Sequence, residues 1–177
     1  MNLPNKLTIA RIIAAPVYVI LYALELYIPA FIVFVAASLT DMLDGRIARA
    51  RGLVTNFGKI MDPLADKILV YSAFCMFIDK GIVPGWMLII ILAREFAVSG
   101  MRTVAASEGK VIAAGMTGKI KTVLQMFAVL FLILESYSSV LSIIGRVLLW
   151  ASLVMTVVSG AEYIIKNIDV FSFEESK

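Results

Sequence analysis

Four aspartates set the chemistry open to this chain. Asp41 and Asp44 stand three residues apart, and Asp62 and Asp66 four apart, with a glycine-containing stretch between the pairs. On helices, each spacing puts both carboxylates of a pair on one face. A turn between the two helices would make them antiparallel neighbours, so all four acids would converge. Four carboxylates in a partly desolvated space repel strongly unless cations neutralise them, and hard oxygen ligands suit Mg2+ or Mn2+. Two ions would suit an in-line displacement at phosphorus, bracing the attacking and leaving oxygens. Gly45, Ala48 and Gly58 lie beside the acids. Such small residues let a ligand approach the backbone, although each alone could equally be a helix-packing contact. Histidine is absent, which removes imidazole as base or ligand and any Ser-His or Cys-His mechanism. Catalysis is left to carboxylates, lysines or metal.

The elements that must position these acids belong to a membrane protein. Of 177 residues, 61% are hydrophobic, and the mean hydropathy is +0.95. So short a chain cannot bury that much apolar surface in one soluble core. Spans of about 20 residues fall near 6–27, 29–51, 57–80, 84–108, 117–138 and 140–166, bounded by Pro, Gly and Ser punctuation. The expectation is an all-α integral membrane protein with six transmembrane helices in one domain over 1–177. No cleavable leader is evident, so the first apolar stretch should remain as a helix. Cys75, the only cysteine, sits in an apolar run and reads as a small buried hydrophobe.

Fourteen of the 16 basic residues fall toward one face, with Lys80 and Arg146 toward the other. The positive-inside rule then puts both termini in the cytoplasm. The second helix is apolar only to about Leu39, the third is charged from Lys59 to Lys67, the fourth turns polar at "AREF", and the fifth begins "GKIKTVLQ". Four helices are therefore half-polar at one depth. Facing lipid, those charges would cost several kcal/mol each, so they imply a polar cavity open to the cytoplasm. Snorkelling explains Arg51 or Lys110, but not four short Asp side chains. A transporter would carry charge across the whole membrane or show an inverted repeat, and a scaffold would leave the acids unexplained. No nucleic-acid partner is expected.

Written out, the stretch is Asp41, two residues, Asp44-Gly45, two residues, Ala48-Arg49, eight residues, Gly58, three residues, Asp62, three residues, Asp66. It resembles the signature of the CDP-alcohol phosphotransferases, membrane enzymes of phospholipid synthesis. The resemblance implies a six-helix homodimer in which Asp41, Asp44 and Asp62 ligate metal and Asp66 stands near the metals as candidate base. Gly45, Ala48 and Gly58 would admit the cytidine, and Arg49 would neutralise phosphate. It further implies attack of an acceptor hydroxyl on the lipid-side phosphorus of a CDP-linked donor, with release of CMP.

Outside that stretch, "NLPNKLTIARII", "AREFAVSGMRTVAASEG" and "GKIKTVLQ" resemble the bacterial phosphatidylglycerophosphate synthases of that family. That implies CDP-diacylglycerol as donor, glycerol 3-phosphate as acceptor and the bacterial cell membrane as location. Arg94, Arg102, Lys119 and Lys121 would meet the acceptor's dianionic phosphate, unless they contact lipid headgroups or set topology. Glu95 would orient Arg94. Asn5 and Thr8 are candidate donor contacts, and Gln125 a further polar one. Phosphatidylglycerol, serine or an inositol phosphate are the alternative acceptors.

Overall fold

The computed structural model describes residues 3–51, 56–107, 109, 112–113 and 115–168; within these, the side chains of 3–4, 41–51, 56–60 and 63 lie outside the description. The described residues form six α-helices and no strand: α1 (Leu3–Ala23), α2 (Tyr27–Arg51), α3 (Asn56–Asp79), α4 (Gly85–Ser107), α5 (Met116–Ile133) and α6 (Ser139–Lys166). The shortest, α5, has 18 residues, or about 27 Å at 1.5 Å per residue. Three helices, α1, α5 and α6, are long and apolar enough to cross a membrane, and α2 has a shorter apolar part, Tyr27–Thr40. The charged halves of α2, α3 and α4 hold them below the same apolar standard.

Several boundaries differ from expectation, among them both ends of α1, which runs Leu3–Ala23 rather than 6–27. Helix α2 begins before Pro29, because a proline in the first turn forfeits an N–H that would have no helical partner. The Ala30 amide already donates to Leu26 O at 3.0 Å. Helix α5 stops at Ile133, five residues early, and Glu135–Tyr137 tighten into a 3-10 turn. Ser138 is extended there, and its Oγ accepts from the Val140 amide at 3.2 Å, capping α6.

The chain forms two compact units. The first holds residues up to Val83 together with Val129–Ile143, and in it α1 packs along both α2 and α3. The buried residues of α1, Thr8, Arg11, Ala15, Tyr18 and Tyr22, alternate gaps of three and four, which is one helical stripe. Ala30, Phe34 and Ala37 form the matching stripe on α2, and Ala65, Leu69, Ala73 and Phe77 that of α3. The buried alanines let backbones approach, the main source of cohesion between helices in lipid. Rings fill the rest: Tyr18 meets Phe34 edge-on at 5.7 Å, and Tyr22 meets Phe77 likewise at 5.7 Å. Each such pair is worth about 0.5–1.5 kcal/mol beyond its area. A larger residue at Ala65 or Ala73 would wedge this packing apart. Cys75 is exposed, contrary to expectation. At 100° per residue it turns away from the face that Ala73, Phe74 and Phe77 bury.

At the far end of this unit Glu25 adopts φ 60° and its carboxylate accepts from Lys80 Nζ at 2.8 Å. The link lowers the pKa of Glu25 and raises that of Lys80, chiefly through that hydrogen bond.

The second unit holds Pro84–Ala128 and the chain from Ile144. The buried residues of α4 are Met87, Ile91, Val98, Met101 and Ala105. Their 4-3-4-3-4 rhythm is complete only if Arg94 is counted between Ile91 and Val98. A guanidinium thus occupies a core position. Helix α6 buries Gly145, Leu149, Ser152, Thr156, Ser159 and Tyr163 in the same rhythm. Its hydroxyls bond to their own helix's carbonyls, Ser152 to Leu149 O and Thr156 to Ser152 O, both at 2.7 Å. That satisfies them internally and lets polar but small residues line a packed face.

Candidate active site

In the first unit, α1 delivers two polar side chains to α3. Thr8 and Arg11, 0% and 1% exposed, lie one turn apart, below the apolar part of their stripe. The Thr8 hydroxyl donates a short hydrogen bond to Asp62 Oδ1, and Arg11 Nη2 stands 3.6 Å from the same oxygen. A buried guanidinium costs several kcal/mol unless a carboxylate faces it, so Asp62 and Arg11 hold one another in place. Asp66 follows one turn along α3 and is half-buried, as is Asn5, one turn before Thr8.

Asp41, Asp44, Gly45, Ala48 and Arg49 lie on α2 and Gly58 on α3, with side chains outside the described residues. The spacing that buries Ala30, Phe34 and Ala37 runs on through positions 41 and 44. Among the described residues no three metal-ligating side chains cluster. Asp62 and Asp66 nonetheless supply hard oxygens on one helix face, and the Asp62 side chain keeps 36% of its surface open. This donor chemistry fits a hard divalent cation.

The second unit contains a cavity of about 550 Å3. Four cations line it, Arg94, Arg102, Lys119 and Lys166, against two carboxylates, Glu95 and Glu162. Arg94, Arg102 and Lys166 are each held by a side-chain hydrogen bond. Arg94 Nη1 donates to Glu95 Oε1 at 3.1 Å, and the same oxygen takes a short bond from Lys121 Nζ. Arg94 is also hemmed by glycines: a Cβ at Gly160 would come 2.9 Å from its Cγ, and one at Gly118 would come 3.1 Å from its Nη2. Its Nε is buried with no hydrogen-bond partner among the described residues. Arg102 Nε donates to the Tyr163 hydroxyl at 3.1 Å, and its guanidinium lies 5.4 Å from that ring's centroid, a cation-π approach. Glu162 accepts from Thr117 Oγ1 at 2.7 Å and from Lys166 Nζ at 2.6 Å, joining the start of α5 to the end of α6. A small anion entering here would meet fixed donors.

Residues 1–158 match the sequence profile of the CDP-alcohol phosphatidyltransferases. The chain belongs to that family. A CDP-diacylglycerol--glycerol-3-phosphate 3-phosphatidyltransferase of Bacillus subtilis (strain 168) is 44% identical, over 94% of this chain and 95% of its own length. The enzyme of that name from Rickettsia prowazekii (strain Madrid E) is 43% identical, over 92% of this chain and 93% of its own. A probable phosphatidylglycerophosphate synthase of Mycobacterium tuberculosis (strain H37Rv) is 33% identical, over 93% of this chain and 81% of its own. CDP-alcohol phosphatidyltransferases work with divalent metal ions and are membrane enzymes.

Within this CDP-alcohol phosphatidyltransferase the expected residues find different places. Arg94, Arg102 and Lys119 meet at one cavity. Lys121 is 3% exposed, outside the lining, with its ammonium on Glu95. Thr8 engages Asp62, and Gln125 is buried on α5. Sequence reasoning counted Arg11 only as a topology charge. Its signal was position, one turn after Thr8 and well inside an apolar helix. Lys166 was likewise counted only toward topology, and Tyr163, Glu162 and Gly160 were not singled out at all. The run "SGAEYIIK" reads as the polar end of a span, and only the fold turns it toward Arg94 and Arg102.

Proposed function

We propose that this chain transfers the phosphatidyl group of CDP-diacylglycerol to glycerol 3-phosphate, forming phosphatidylglycerophosphate and releasing CMP. The observation that carries the acceptor is the cavity whose wall presents Arg94, Arg102 and Lys119. A dianionic phosphate suits charge-assisted donors, whereas an uncharged alcohol would leave them unmatched. The relatives' names, at 42–44% identity over most of the chain, support the same reading.

In this reaction the acceptor's primary hydroxyl oxygen bonds to the lipid-side phosphorus, and the bond from that phosphorus to the CMP oxygen breaks. Asp66 takes the hydroxyl proton, since with no histidine in the chain a carboxylate is the natural base. Asp41, Asp44 and Asp62 would hold Mg2+ or Mn2+, as two ions, with Asp66 beside them. Bound metal neutralises the carboxylates and the donor's pyrophosphate and stabilises charge on the phosphoryl oxygens. Thr8 and Arg11 fix the rotamer of Asp62, Gly45, Ala48 and Gly58 leave room for the cytidine, and Arg49 faces a donor phosphate. Asn5, one turn before Thr8 on α1, is a further contact for the same donor. The single domain 1–177 works as a homodimer in the bacterial cell membrane, with both termini and the polar cavity on the cytoplasmic side, as the basic-residue asymmetry supports.

Acceptor profiling tests this: purified protein, CDP-diacylglycerol in mixed micelles, Mg2+, and CMP release measured with glycerol 3-phosphate, serine, inositol phosphate and phosphatidylglycerol. Glycerol 3-phosphate should dominate. A clear preference for any other acceptor overturns the assignment.

A further inference from the structure

Lys121 has the charge expected of a phosphate ligand but not the place. It is 3% exposed, it is absent from the cavity lining, and its ammonium is spent on the Glu95 oxygen that also holds Arg94. We propose that Lys121 is a positioning residue, the counter-ion that cancels the charge of Glu95 so that Arg94 can present its own to the acceptor phosphate. This rests on the acceptor reading above. The three side chains carry one positive, one negative and one positive charge, a net +1, and of the two cations only Arg94 lines the cavity. Gly160 on α6 lies beside the Arg94 stem and Gly118 on α5 beside its Nη2, so both backbones border the course of the side chain that reaches Glu95. Without Lys121, the Glu95 carboxylate would lose the ammonium that offsets its pull on Arg94. The Arg94 and Glu95 charges would then sum to zero, and the guanidinium would be drawn into their ion pair in a low-dielectric surround.

A charge-balancing cycle reads this out. Lys121→Met should raise the KM for glycerol 3-phosphate by about 10- to 100-fold, the worth of a charge-assisted contact, with the KM for CDP-diacylglycerol little changed. Adding Glu95→Gln restores net +1 and keeps an amide oxygen for Arg94 Nη1. The double variant should therefore recover most of the lost KM. If Lys121 instead touched the phosphate itself, the double variant would stay as impaired as Lys121→Met, and the proposal would be overturned. Lys121→Arg, which keeps the counter-charge, should remain close to wild type, and impairment there as large as that of Lys121→Met also counts against the idea. Helicity and melting temperature in detergent are followed for all variants. Should the double variant fail to fold, the comparison of Lys121→Arg with Lys121→Met decides. Failure of the acceptor reading is distinguishable, because wild-type protein would then not use glycerol 3-phosphate at all.

Discussion

Gly160→Ala tests whether the cationic cavity depends on where Arg94 is held. The new methyl group would stand 2.9 Å from Arg94 Cγ, whereas carbon atoms rest at about 3.5–4.0 Å. The arginine stem must therefore yield by about 0.6–1 Å. It has little freedom to do so, since Nη1 is on Glu95 and Nη2 already lies where a Cβ at Gly118 would be 3.1 Å away. A displacement of about 1 Å at a positioning group can cost about 100-fold in rate, and overpacking costs about 1–3 kcal/mol of stability. Steady-state kinetics in micelles should show a KM for glycerol 3-phosphate raised about 10- to 100-fold, and thermal melting should show a less stable protein. Gly118→Ala would meet Nη2 at 3.1 Å rather than the stem at 2.9 Å, so its effect should be smaller. Gly100→Ala meets nothing within 4 Å and should be kinetically silent and stabilising by about 0.5–1 kcal/mol. If Gly160→Ala left both acceptor KM and melting unchanged, the glycine cradle would have no part in placing Arg94.

Chelation with EDTA should abolish CMP release, and Mg2+ or Mn2+ should restore it; full turnover in chelator would remove metal from the mechanism. Asp66→Asn should lower the rate by about 100- to 10,000-fold, as for loss of a general base, while metal-dependent CDP-diacylglycerol binding largely survives. Parallel loss of rate and binding would recast Asp66 as chiefly a metal ligand. Arg11→Met leaves Asp62 without its buried cation and should destabilise the protein by about 3–5 kcal/mol, read as a lower melting temperature; an unchanged melt would mean that the pair contributes nothing. The Glu25–Lys80 link should be insensitive to pH between about 5 and 10: the lowered Glu25 pKa means its contribution is lost only as pH falls through that value, and the raised Lys80 pKa only as pH climbs past the ordinary lysine range near 10.4. Melting curves of wild type and Lys80→Met that diverge within that window would refute this.

Much of this protein was legible one residue at a time. Apolar runs bounded by Pro, Gly and Ser mark six helices, because a backbone in hydrocarbon must satisfy its hydrogen bonds within one segment. The Asp spacing likewise fixes which carboxylates share a helix face, since 3.6 residues per turn is a local property. What the sequence alone left undecided was partnership across helices. Arg11 and Thr8 both look like ordinary early residues of a span until α1 lies against α3 and both reach Asp62. Lys121 and Lys119 are equivalent as letters, yet the rotation of α5 turns one onto Glu95 and the other into the cavity. Gly160 is an unremarkable small residue in a membrane helix until Arg94 passes 2.9 Å from where its Cβ would be. Hydropathy and helical period are sums along one segment, whereas these contacts depend on the register and rotation of two segments at once, which packing alone decides.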